Sequence, residues 1–511
     1  MELTVVGGGD SGLITALCVR QLNPDLEINV VDDFDEEPPR TGKATFRAIL
    51  GIFHDFLEID RRRFIEEVRP VFKASAYFKN WCGYEPFHHP FDIAEMVPHH
   101  EEPHYAERAY FLYDEVYRNE DLRSMDEEIV RQRKTPYYVE NYNLKPYPHF
   151  AYQFDTHPFN SFLRTLCEER DINLVNDRVE TVHRDGDCIT RIEGESASFE
   201  SDLFVDASGF QRVLMNEMDA EFKEFDIPLD TAYVAQLDRP ISEVIPATVF
   251  ETGECGWFWL IDAYEHRDMG YVFASDYIDE EDALVEFREY CDISEGEYDI
   301  GKYTFTSGYY RDIWVGNCIA IGNAAGIVEP LQAPNLTTNA QAAVALSILL
   351  AGHDCIIHDG IRDTYNNAVC SLWESIYDFI YMHYRFADGD NAFWEAMQNL
   401  EGSERTRGII EEFDKNGLVT AITPVTSAVN PVSAENEIWS LTLFPLNSFY
   451  SIMRRMGATS KFYEEHEIEV SDTVRNAANR SFQKWEDQVE RHLSFEEFYD
   501  LVLEDTPEPT A

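Results

Sequence analysis

Basic residues are scarce in this chain of 511 residues. Lysine and arginine together number 41, against 96 aspartates and glutamates, so the formal net charge at pH 7 is −55. A surface with this charge repels phosphate groups, and we therefore expect no nucleic-acid partner and no anionic membrane partner. The acidic residues are spread along the whole chain, which is typical of a solvated acidic surface rather than an acidic interaction arm.

Cysteine motifs and long apolar runs are also missing. The nine cysteines include no C-x-x-C pair, which predicts reduced thiols in a cytoplasmic protein without structural zinc. The longest apolar run, Ala340–Leu350, is too short to span a bilayer. The amino terminus lacks the basic segment of a signal peptide. These absences together predict a cytoplasmic location.

A glycine-rich turn near the amino terminus is the first positive signal. The apolar run Leu3–Val6 predicts a buried strand, and Leu13–Leu22 has the apolar spacing of a helix. Between them, Gly7, Gly9 and Gly12 form G-x-G-x-x-G, which permits a tight turn and brings a pyrophosphate close to the helix amino terminus. Asp32 ends the next predicted strand, where a carboxylate can bind a ribose hydroxyl. At this point both NAD and FAD fit the pattern.

Two later segments favour FAD. Ser208 and Gly209 form a small-residue turn after one buried strand, and Gly322 and Gly326 form another after the strand Cys318–Ile321. Small residues at these turns let an extended dinucleotide lie against the backbone. The pattern predicts an α/β fold in which a two-motif, Rossmann-like FAD-binding module is joined to a second module of β-sheet plus helices.

The module boundaries follow from the order of these elements along the chain. We expect a discontinuous FAD-binding module made of residues 1–80, 150–215 and 305–355. The segments 81–149, 216–304 and 356–500 are expected to form the substrate-facing module, and 501–511 a carboxyl-terminal tail.

Five motifs, taken together, resemble the flavin-dependent halogenases of the tryptophan-halogenase type within the flavoprotein monooxygenase superfamily. The resemblance covers nearly the whole chain, and the paired tryptophans Trp257 and Trp259 best separate this family from ordinary monooxygenases. The motifs are Gly7–Gly12, the strap Gly42-Lys43-Ala44-Thr45, Phe72-Lys73 with Phe78–Trp81, Gly256–Ile261, and Val328-Glu329-Pro330-Leu331.

The resemblance implies a specific chemistry. Reduced FAD (FADH2), supplied by a separate flavin reductase, reacts with oxygen and with chloride or bromide to give hypohalous acid. This species passes through an internal tunnel to a lysine beside an aromatic small-molecule substrate, and the matching residue is Lys73. The ammonium form of Lys73 could hydrogen-bond to hypohalous acid, or its neutral amine could form a haloamine.

The resemblance also implies the binding residues. His89, Phe91 and Phe444 match the aromatic walls of the substrate pocket, where flat rings favour an indole or related aromatic. A metal site is the competing interpretation of the histidine-rich loop, and we expect no metal there because the prolines of the loop break any helical i, i+4 pair of histidines. The loop histidines are His88, His89, His99, His100 and His104. The expected FAD-binding residues are Gly7, Gly9, Gly12, Asp32, Gly42, Ala44, Thr45, Val179, Ser208, Gly209, Gly322 and Gly326.

Several departures from the family pattern lie at the reactive centre. Gln332 stands where the family has a catalytic glutamate, and Pro334 and Asn335 stand in the halide-binding segment, where proline has no N–H to donate. The other departures are Asp10 in the glycine turn, Lys43 in the strap, Ala333 and Asp262. Two alternatives therefore stay open: a flavoprotein monooxygenase or oxidase that uses no halide, and a flavin-binding protein without turnover. The oligomeric state also stays open, including a homodimer.

The charge of −55 leads to a prediction about salt. If the host cytosol is very salty, screening relieves the repulsion between the acidic groups and the folded state is retained. We predict that dialysis from molar salt into dilute buffer unfolds the protein, measured as loss of near-ultraviolet circular dichroism. Full stability in dilute buffer would contradict this.

Overall fold

The strand that opens the chain lies inside a six-stranded sheet. The structure is a computed structural model, and it describes residues 1–36, 42–91, 123–417, 443–466 and 469–503. The first five strands of this sheet are parallel, and the last is antiparallel. In spatial order the strands are Asn173–Asn176, Glu27–Asp32, Glu2–Val6, Leu203–Asp206, Cys318–Ala320 and Trp314–Val315.

This sheet gathers its strands from three distant parts of the chain. Each strand falls within the segments 1–80, 150–215 or 305–355, from which we predict the FAD-binding module. The strands are nearly continuous apolar runs, as expected for parallel strands covered on both faces. The helices Asp10–Leu22 and Asn335–Gly352 pack against each other. The Asn339 amide donates a hydrogen bond to Ser11 Oγ at 2.9 Å between these two helices.

A seven-stranded, mainly antiparallel sheet forms the second large layer. Strand Ser75–Asn80, which lies inside the segment 1–80, pairs within this sheet in parallel with Ala247–Thr252. The predicted boundary at residue 80 therefore falls at the end of a strand of the second sheet. In spatial order the strands are Gly301–Thr304, Thr231–Asp238, His266–Phe273, Gly256–Asp262, Ala247–Thr252, Ser75–Asn80 and Phe87–Pro90.

Four three-stranded sheets complete the β structure of the described residues. The one that bears on the site has Ala151–Asp155 at its centre, with Gly42–Ala44 on one edge and Val71–Lys73 on the other, both antiparallel to it. The others are Val179–Asp185 with Cys188–Gly194 and Ser198–Phe199; Phe222–Glu224 with Gly308–Tyr310 and Gly326–Ile327; and His492–Ser494 with Lys134–Glu140 and Asn143–Pro146.

Helices surround the sheets and dominate the carboxyl-terminal part of the described chain. The longest, Asp359–Arg385, has buried side chains along most of its second half. The α-helices are Asp10–Leu22, Ala48–Leu50, Arg61–Val68, Met125–Arg131, Thr156–Glu169, Glu280–Cys291, Asn335–Gly352, Asp359–Arg385, Ala392–Gln398, Glu404–Asn416, Leu446–Arg455, Lys461–Glu465, Asp472–Val489 and Phe495–Leu503, and Gly51–Phe56 is a π-helical turn.

These elements confirm the predicted α/β fold with a Rossmann-like layer and a second module of sheet and helices. In the part of the chain that the structure describes, no helix is long and apolar enough to cross a membrane. All nine cysteines are free thiols.

Asp262, at the position where the related motif has a proline, holds a buried charge cluster. Its carboxylate is fully buried and forms ion pairs with Arg239 Nε at 3.1 Å and Arg267 Nε at 2.8 Å. It also accepts the backbone N–H of Ile245 at 2.7 Å. The side chain therefore ties the end of strand Gly256–Asp262 to the loop that precedes the neighbouring strand.

We predict that Asp262→Ala lowers the free energy of unfolding by about 3–5 kcal/mol, because it leaves two buried or partly buried guanidinium groups without their carboxylate. Denaturant unfolding in high-salt buffer measures the change. Lys302→Ala is the matched control, because it breaks an exposed ion pair with Glu280 and should change stability little. Equal effects of both substitutions would contradict the prediction.

Candidate functional site

A cavity of about 640 Å³ opens over the carboxyl ends of the parallel strands. Its walls combine the glycine turn, the end of strand Glu27–Asp32, the strap strand Gly42–Ala44 and the turn at Ser208. Trp259 and Phe250 of the seven-stranded sheet close the opposite side. Clefts at this edge of an α/β sheet are where such folds bind dinucleotides.

The three glycines of the turn, Gly7, Gly9 and Gly12, have two distinct functions. A Cβ atom on Gly9 would meet no protein atom within 4 Å, so this residue leaves backbone open toward the cavity. A Cβ atom on Gly12 would lie 1.9 Å from the carbonyl oxygen of Gly7, and one on Gly7 would lie 2.4 Å from that of Ala207. Gly7 and Gly12 thus allow close packing, whereas Gly9 leaves room for a ligand.

The turn can hold a phosphate group. Gly9 is the N-cap of helix Asp10–Leu22, and no side chain caps that helix end. Its first backbone N–H groups and the positive end of its dipole therefore remain available for an anion. The cavity volume and the open position at Gly9 fit the pyrophosphate of FAD.

The cavity wall carries both acidic and basic side chains. Asp32 Oδ2 accepts the Gly8 N–H at 2.6 Å, and burial raises the pKa of this carboxyl. Burial also raises the pKa of Asp10, while the charge of Lys43 opposes that rise. Lys43 and Arg164 are the cations among the cavity-lining residues. The charge of Lys43 therefore favours the ionised form of Asp10, which links these two departures from the family pattern.

Arg164 is a binding candidate that the sequence reasoning missed. It lies on helix Thr156–Glu169, its guanidinium stacks 4.7 Å from the ring centre of Phe34, and its buried Nε has no hydrogen-bond partner among the described residues. A cation here can pair with a phosphate of the cofactor. In the sequence it is one arginine within an amphipathic helix, so no local signal distinguishes it.

The predicted cofactor residues separate into two groups. The cavity is lined by Gly7, Gly9, Asp32, Gly42, Ala44, Ser208 and Gly209. Outside its lining lie Gly12, Thr45, Val179, Gly322 and Gly326. Of the latter, Thr45 forms hydrogen bonds with the backbone of Tyr152 in both directions, and Gly322 packs against Ser11. These residues shape the fold around the cavity rather than its surface.

Lys73 lies at the end of its strand with its side chain fully buried. Its Nζ has no hydrogen-bond partner among the described residues, and it lies 5.3 Å from the ring centre of Phe46 and 5.7 Å from that of Phe91. Burial lowers the pKa of the Lys73 amine to about 7. A buried, unpaired amine between aromatic rings can be ammonium or neutral amine near neutral pH.

The predicted aromatic residues come together around Phe46. The ring centre of Phe46 lies 6.2 Å from that of His89, 5.4 Å from Phe91 and 4.8 Å from Phe444. His89 and Phe444 are 6.3 Å apart with their planes tilted by 41°. An aromatic ring inserted between two parallel rings needs about 7 Å, twice a carbon contact distance. Substrate entry between His89 and Phe444 therefore requires these rings to separate.

The paired tryptophans lie on one face of strand Gly256–Asp262 and have different surroundings. Trp259 lines the cavity. Trp257 is fully buried, and its indole N–H donates to Tyr384 Oη at 3.0 Å. Tyr384 in turn donates to Glu329 Oε1 at 3.0 Å. Burial raises the pKa of Glu329 to about 8, so this carboxyl is mainly protonated at pH 7. Two separate family motifs thus meet through Tyr384, which the sequence reasoning missed.

The loop before helix Asn335–Gly352 carries the predicted catalytic and halide residues. Gln332 and Ala333 both have left-handed backbone, with φ of 68° and 57°, a strained state for residues other than glycine. The buried Gln332 side chain lies between His89 and His383. Pro334 is the N-cap of the helix and lies outside the cavity lining, whereas Asn335 is part of it.

Metal ligation gains no support from the described residues, which contain no group of three or more His, Cys, Asp or Glu side chains suited to a metal ion. His88 stacks on Tyr77 at 4.4 Å and its Nδ1 hydrogen-bonds with Ser75 Oγ. The loop histidines His99, His100 and His104 lie outside the described residues.

Comparison with known proteins gives the family of this chain. Residues 2–471 match the family model of tryptophan halogenase, so the chain belongs to the tryptophan halogenase family. It is 26% identical over 445 residues to tryptophan 7-halogenase RebH of Lentzea aerocolonigenes, covering 81% of each chain. It is 25% identical over 510 residues to tryptophan 7-halogenase KtzQ of Kutzneria sp. (strain 744), covering 94% of this chain and 93% of that protein.

Solved structures show the same fold. Tar14, a tryptophan C-6 flavin-dependent halogenase from taromycin biosynthesis, superposes with a TM-score of 0.83 at 22% identity, over 98% of this chain and 99% of that one. The family membership confirms that the protein is a flavin-dependent enzyme, with FAD as its cofactor.

We predict that Gly9→Val folds normally but loses flavin, because its side chain enters space that the protein leaves open and that the pyrophosphate needs. Flavin absorbance per protein and circular dichroism measure the two properties. Gly352→Val is the matched control, since a Cβ atom on Gly352 also meets no atom within 4 Å, but this glycine lies outside the cavity lining. Normal flavin content in Gly9→Val would refute the placement.

Proposed function

We propose that this protein halogenates an indole or a related aromatic small molecule, using reduced FAD, oxygen and chloride or bromide. The observation that carries the proposal is Lys73, a fully buried amine without a hydrogen-bond partner among the described residues and with two phenylalanine rings beside it. A structural lysine gains nothing from such a position, since burial without a partner costs free energy. A lysine that receives a reactive halogen species needs this dry environment.

Bound reduced FAD would supply the two electrons that activate oxygen, and oxygen activated in this way would oxidise halide to hypohalous acid. The glycine turn, the strap and the cations Lys43 and Arg164 line the cavity and would hold the cofactor there. Lys73 then holds hypohalous acid through its ammonium hydrogens and polarises it toward the aromatic substrate. The surrounding rings of Phe46 and Phe91 leave little room for water around the amine, which keeps the reactive species from escaping into solvent.

The halide would bind at the amino terminus of helix Asn335–Gly352. The first-turn N–H groups and the helix dipole favour an anion there, and Asn335 lines the cavity. Pro334 supplies no N–H. We therefore propose that the Asn335 N–H or its side-chain amide is the surviving donor.

The names of related proteins and the aromatic residues of this chain support the proposed class of substrate. RebH and KtzQ are named as tryptophan 7-halogenases, and the rings of His89, Phe91 and Phe444 surround one place in this chain. We propose that these three residues form the walls of the aromatic pocket and that Phe46 occupies it when substrate is absent. A separate flavin reductase and a cytoplasmic location belong to the same proposal.

A halide-independent monooxygenase or oxidase is the second candidate function. It is favoured by one observation, that an uncharged glutamine and a proline occupy the positions of the family's catalytic and halide-binding residues. The test is mass spectrometry of tryptophan and indole incubated with the protein, a flavin reductase, reduced FAD, oxygen and bromide at high salt. A brominated product supports our proposal; a halide-independent oxygenated product supports the second candidate. If no product forms, the remaining interpretation is a flavin-binding protein without turnover.

We predict that Lys73→Met retains flavin and loses halogenated product. With a pKa of about 7, the ammonium form of the unchanged enzyme is lost as pH rises. Turnover should therefore decline above about pH 7 if Lys73 acts as ammonium. Lys79→Met, which changes an exposed lysine paired with Glu251, is the control and should keep activity. Turnover that instead rises through pH 7 would favour the neutral amine and a haloamine.

We predict that Pro334→Thr lowers the halide concentration needed for half-maximal turnover. The missing N–H costs a buried anion about 1.5–3 kcal/mol, the value of a hydrogen bond to a charged group. This corresponds to a roughly ten- to hundred-fold weaker affinity, which molar chloride can offset by mass action. Bromide titration of both proteins measures the shift. Full activity of the unchanged protein at millimolar halide would contradict it.

A further inference from the structure

Four buried side chains form one continuous hydrogen-bonded chain beside the aromatic rings. Ser448 Oγ lies 3.0 Å from His89 Nε2, and His89 Nδ1 lies 3.2 Å from Gln332 Oε1. Gln332 Nε2 lies 2.9 Å from His383 Nε2, and His383 Nδ1 lies 3.0 Å from the carbonyl oxygen of Phe379. All four side chains are at most 3% exposed.

A backbone carbonyl sets the direction of every bond in this chain. The Phe379 carbonyl can only accept, so His383 Nδ1 carries a hydrogen. Burial lowers the pKa of His383 to about 3, so the ring is neutral and its Nε2 accepts from the Gln332 amide. Gln332 Oε1 must then accept from His89 Nδ1. His89 Nε2 is left as an acceptor for the Ser448 hydroxyl.

We propose that Ser448 and His89 take up the proton that the aromatic substrate loses on halogenation, and that Gln332 and His383 are positioning residues for this pair. The inference rests on the proposed halogenation. In the first step the carbon–halogen bond forms as the halogen–oxygen bond of hypohalous acid breaks, and the oxygen leaves as water with a proton from Lys73. In the second, the carbon–hydrogen bond breaks: its proton goes to Ser448 Oγ while the hydroxyl hydrogen moves to His89 Nε2, and the bonding electrons restore the aromatic ring.

Two other side chains, Gln332 and Lys73, are the alternatives for this role. Gln332 is an amide and has no basic atom near neutral pH, and its two polar atoms are already bonded to the two histidines. Lys73 becomes a neutral amine when it gives its proton in the first step, so it is the competing acceptor for the substrate proton, and a primary isotope effect in Ser448→Ala distinguishes the two. His89 faces Gln332 and Ser448 through its nitrogens, and the charge that acts on it is that of Lys73. Burial lowers the pKa of His89 to about 4, which keeps Nε2 free to accept.

Glutamine at position 332 fits this arrangement better than glutamate would. A carboxylate has no hydrogen to donate, so its oxygen would face the lone pair of His383 Nε2. A favourable contact would then require the His383 imidazole to be protonated. The amide satisfies both histidines without a charge. The carbonyl oxygen of Gln332 also stabilises the His89 imidazolium that forms when the proton arrives, as a hydrogen-bond acceptor for Nδ1–H.

The test is the deuterium isotope effect on turnover, with substrate deuterated at the carbon that is halogenated. In the unchanged enzyme we expect an effect near one, because a placed base removes the proton quickly. His89→Phe, which keeps an aromatic ring, and Ser448→Ala should lower kcat by about 10²-fold or more and introduce a clear primary isotope effect. His383→Phe removes the hydrogen-bond acceptor of the Gln332 amide. It should therefore cause a smaller loss of kcat and a smaller primary isotope effect.

Two controls make the result specific. Ser451→Ala removes another buried hydroxyl of helix Leu446–Arg455, one without a hydrogen-bond partner among the described residues, and it should leave kcat and the isotope effect unchanged. Ser448→Thr keeps a hydroxyl at this position, so its isotope effect should be close to one, in contrast to that of Ser448→Ala. Flavin content and circular dichroism verify folding; if His89→Phe does not fold, Ser448→Ala decides.

The outcomes separate this inference from the proposed function. Halogenated product from the unchanged enzyme, together with an isotope effect near one in Ser448→Ala and His89→Phe, overturns the proton-accepting pair alone. A primary isotope effect in Ser451→Ala as large as that in Ser448→Ala also overturns it. No halogenated product from the unchanged enzyme overturns the proposed function and this inference with it.

Discussion

The small sheet centred on strand Ala151–Asp155 is the constraint on which the site depends. Its one edge pairs with the strap strand Gly42–Ala44, which lines the cofactor cavity, and its other edge pairs with Val71–Lys73. Neighbouring strands lie about 4.8 Å apart, so the strap and the Lys73 strand are held about 10 Å apart by backbone hydrogen bonds. Changes in side-chain packing do not alter this spacing. Phe46 directly follows the strap, and its ring lies beside Lys73.

Charge is distributed very differently on the surface and at the reactive centre. The chain carries a net charge of −55, yet three buried titratable groups of the site are mainly neutral at pH 7. His89 and His383 have lowered pKa values and Glu329 a raised one, because burial penalises the charged form of each. Gln332 adds an uncharged amide to the same region.

The sequence predicted the cofactor end of the site better than the substrate end. Gly7, Gly9 and Asp32 follow from one local pattern, in which a strand, a turn and a helix are adjacent in the chain. Arg164, Tyr384, His383 and Ser448 could not be found this way. They lie on helices whose local sequence shows only ordinary apolar spacing, and their function arises from partners 51 to 359 positions away, as in the bonds His383–Gln332 and Ser448–His89.

The sequence by itself determined the fold class, the family and the chemistry of single positions, such as the open backbone at Gly9 and the missing N–H at Pro334. These properties depend on residue type and on neighbours in the chain. Only the tertiary structure decided that Lys73 is unpaired, that Phe46 lies among His89, Phe91 and Phe444, and that Gln332 joins two histidines. The physical reason is that burial and hydrogen-bond direction are properties of the assembled surroundings, which distant segments supply together.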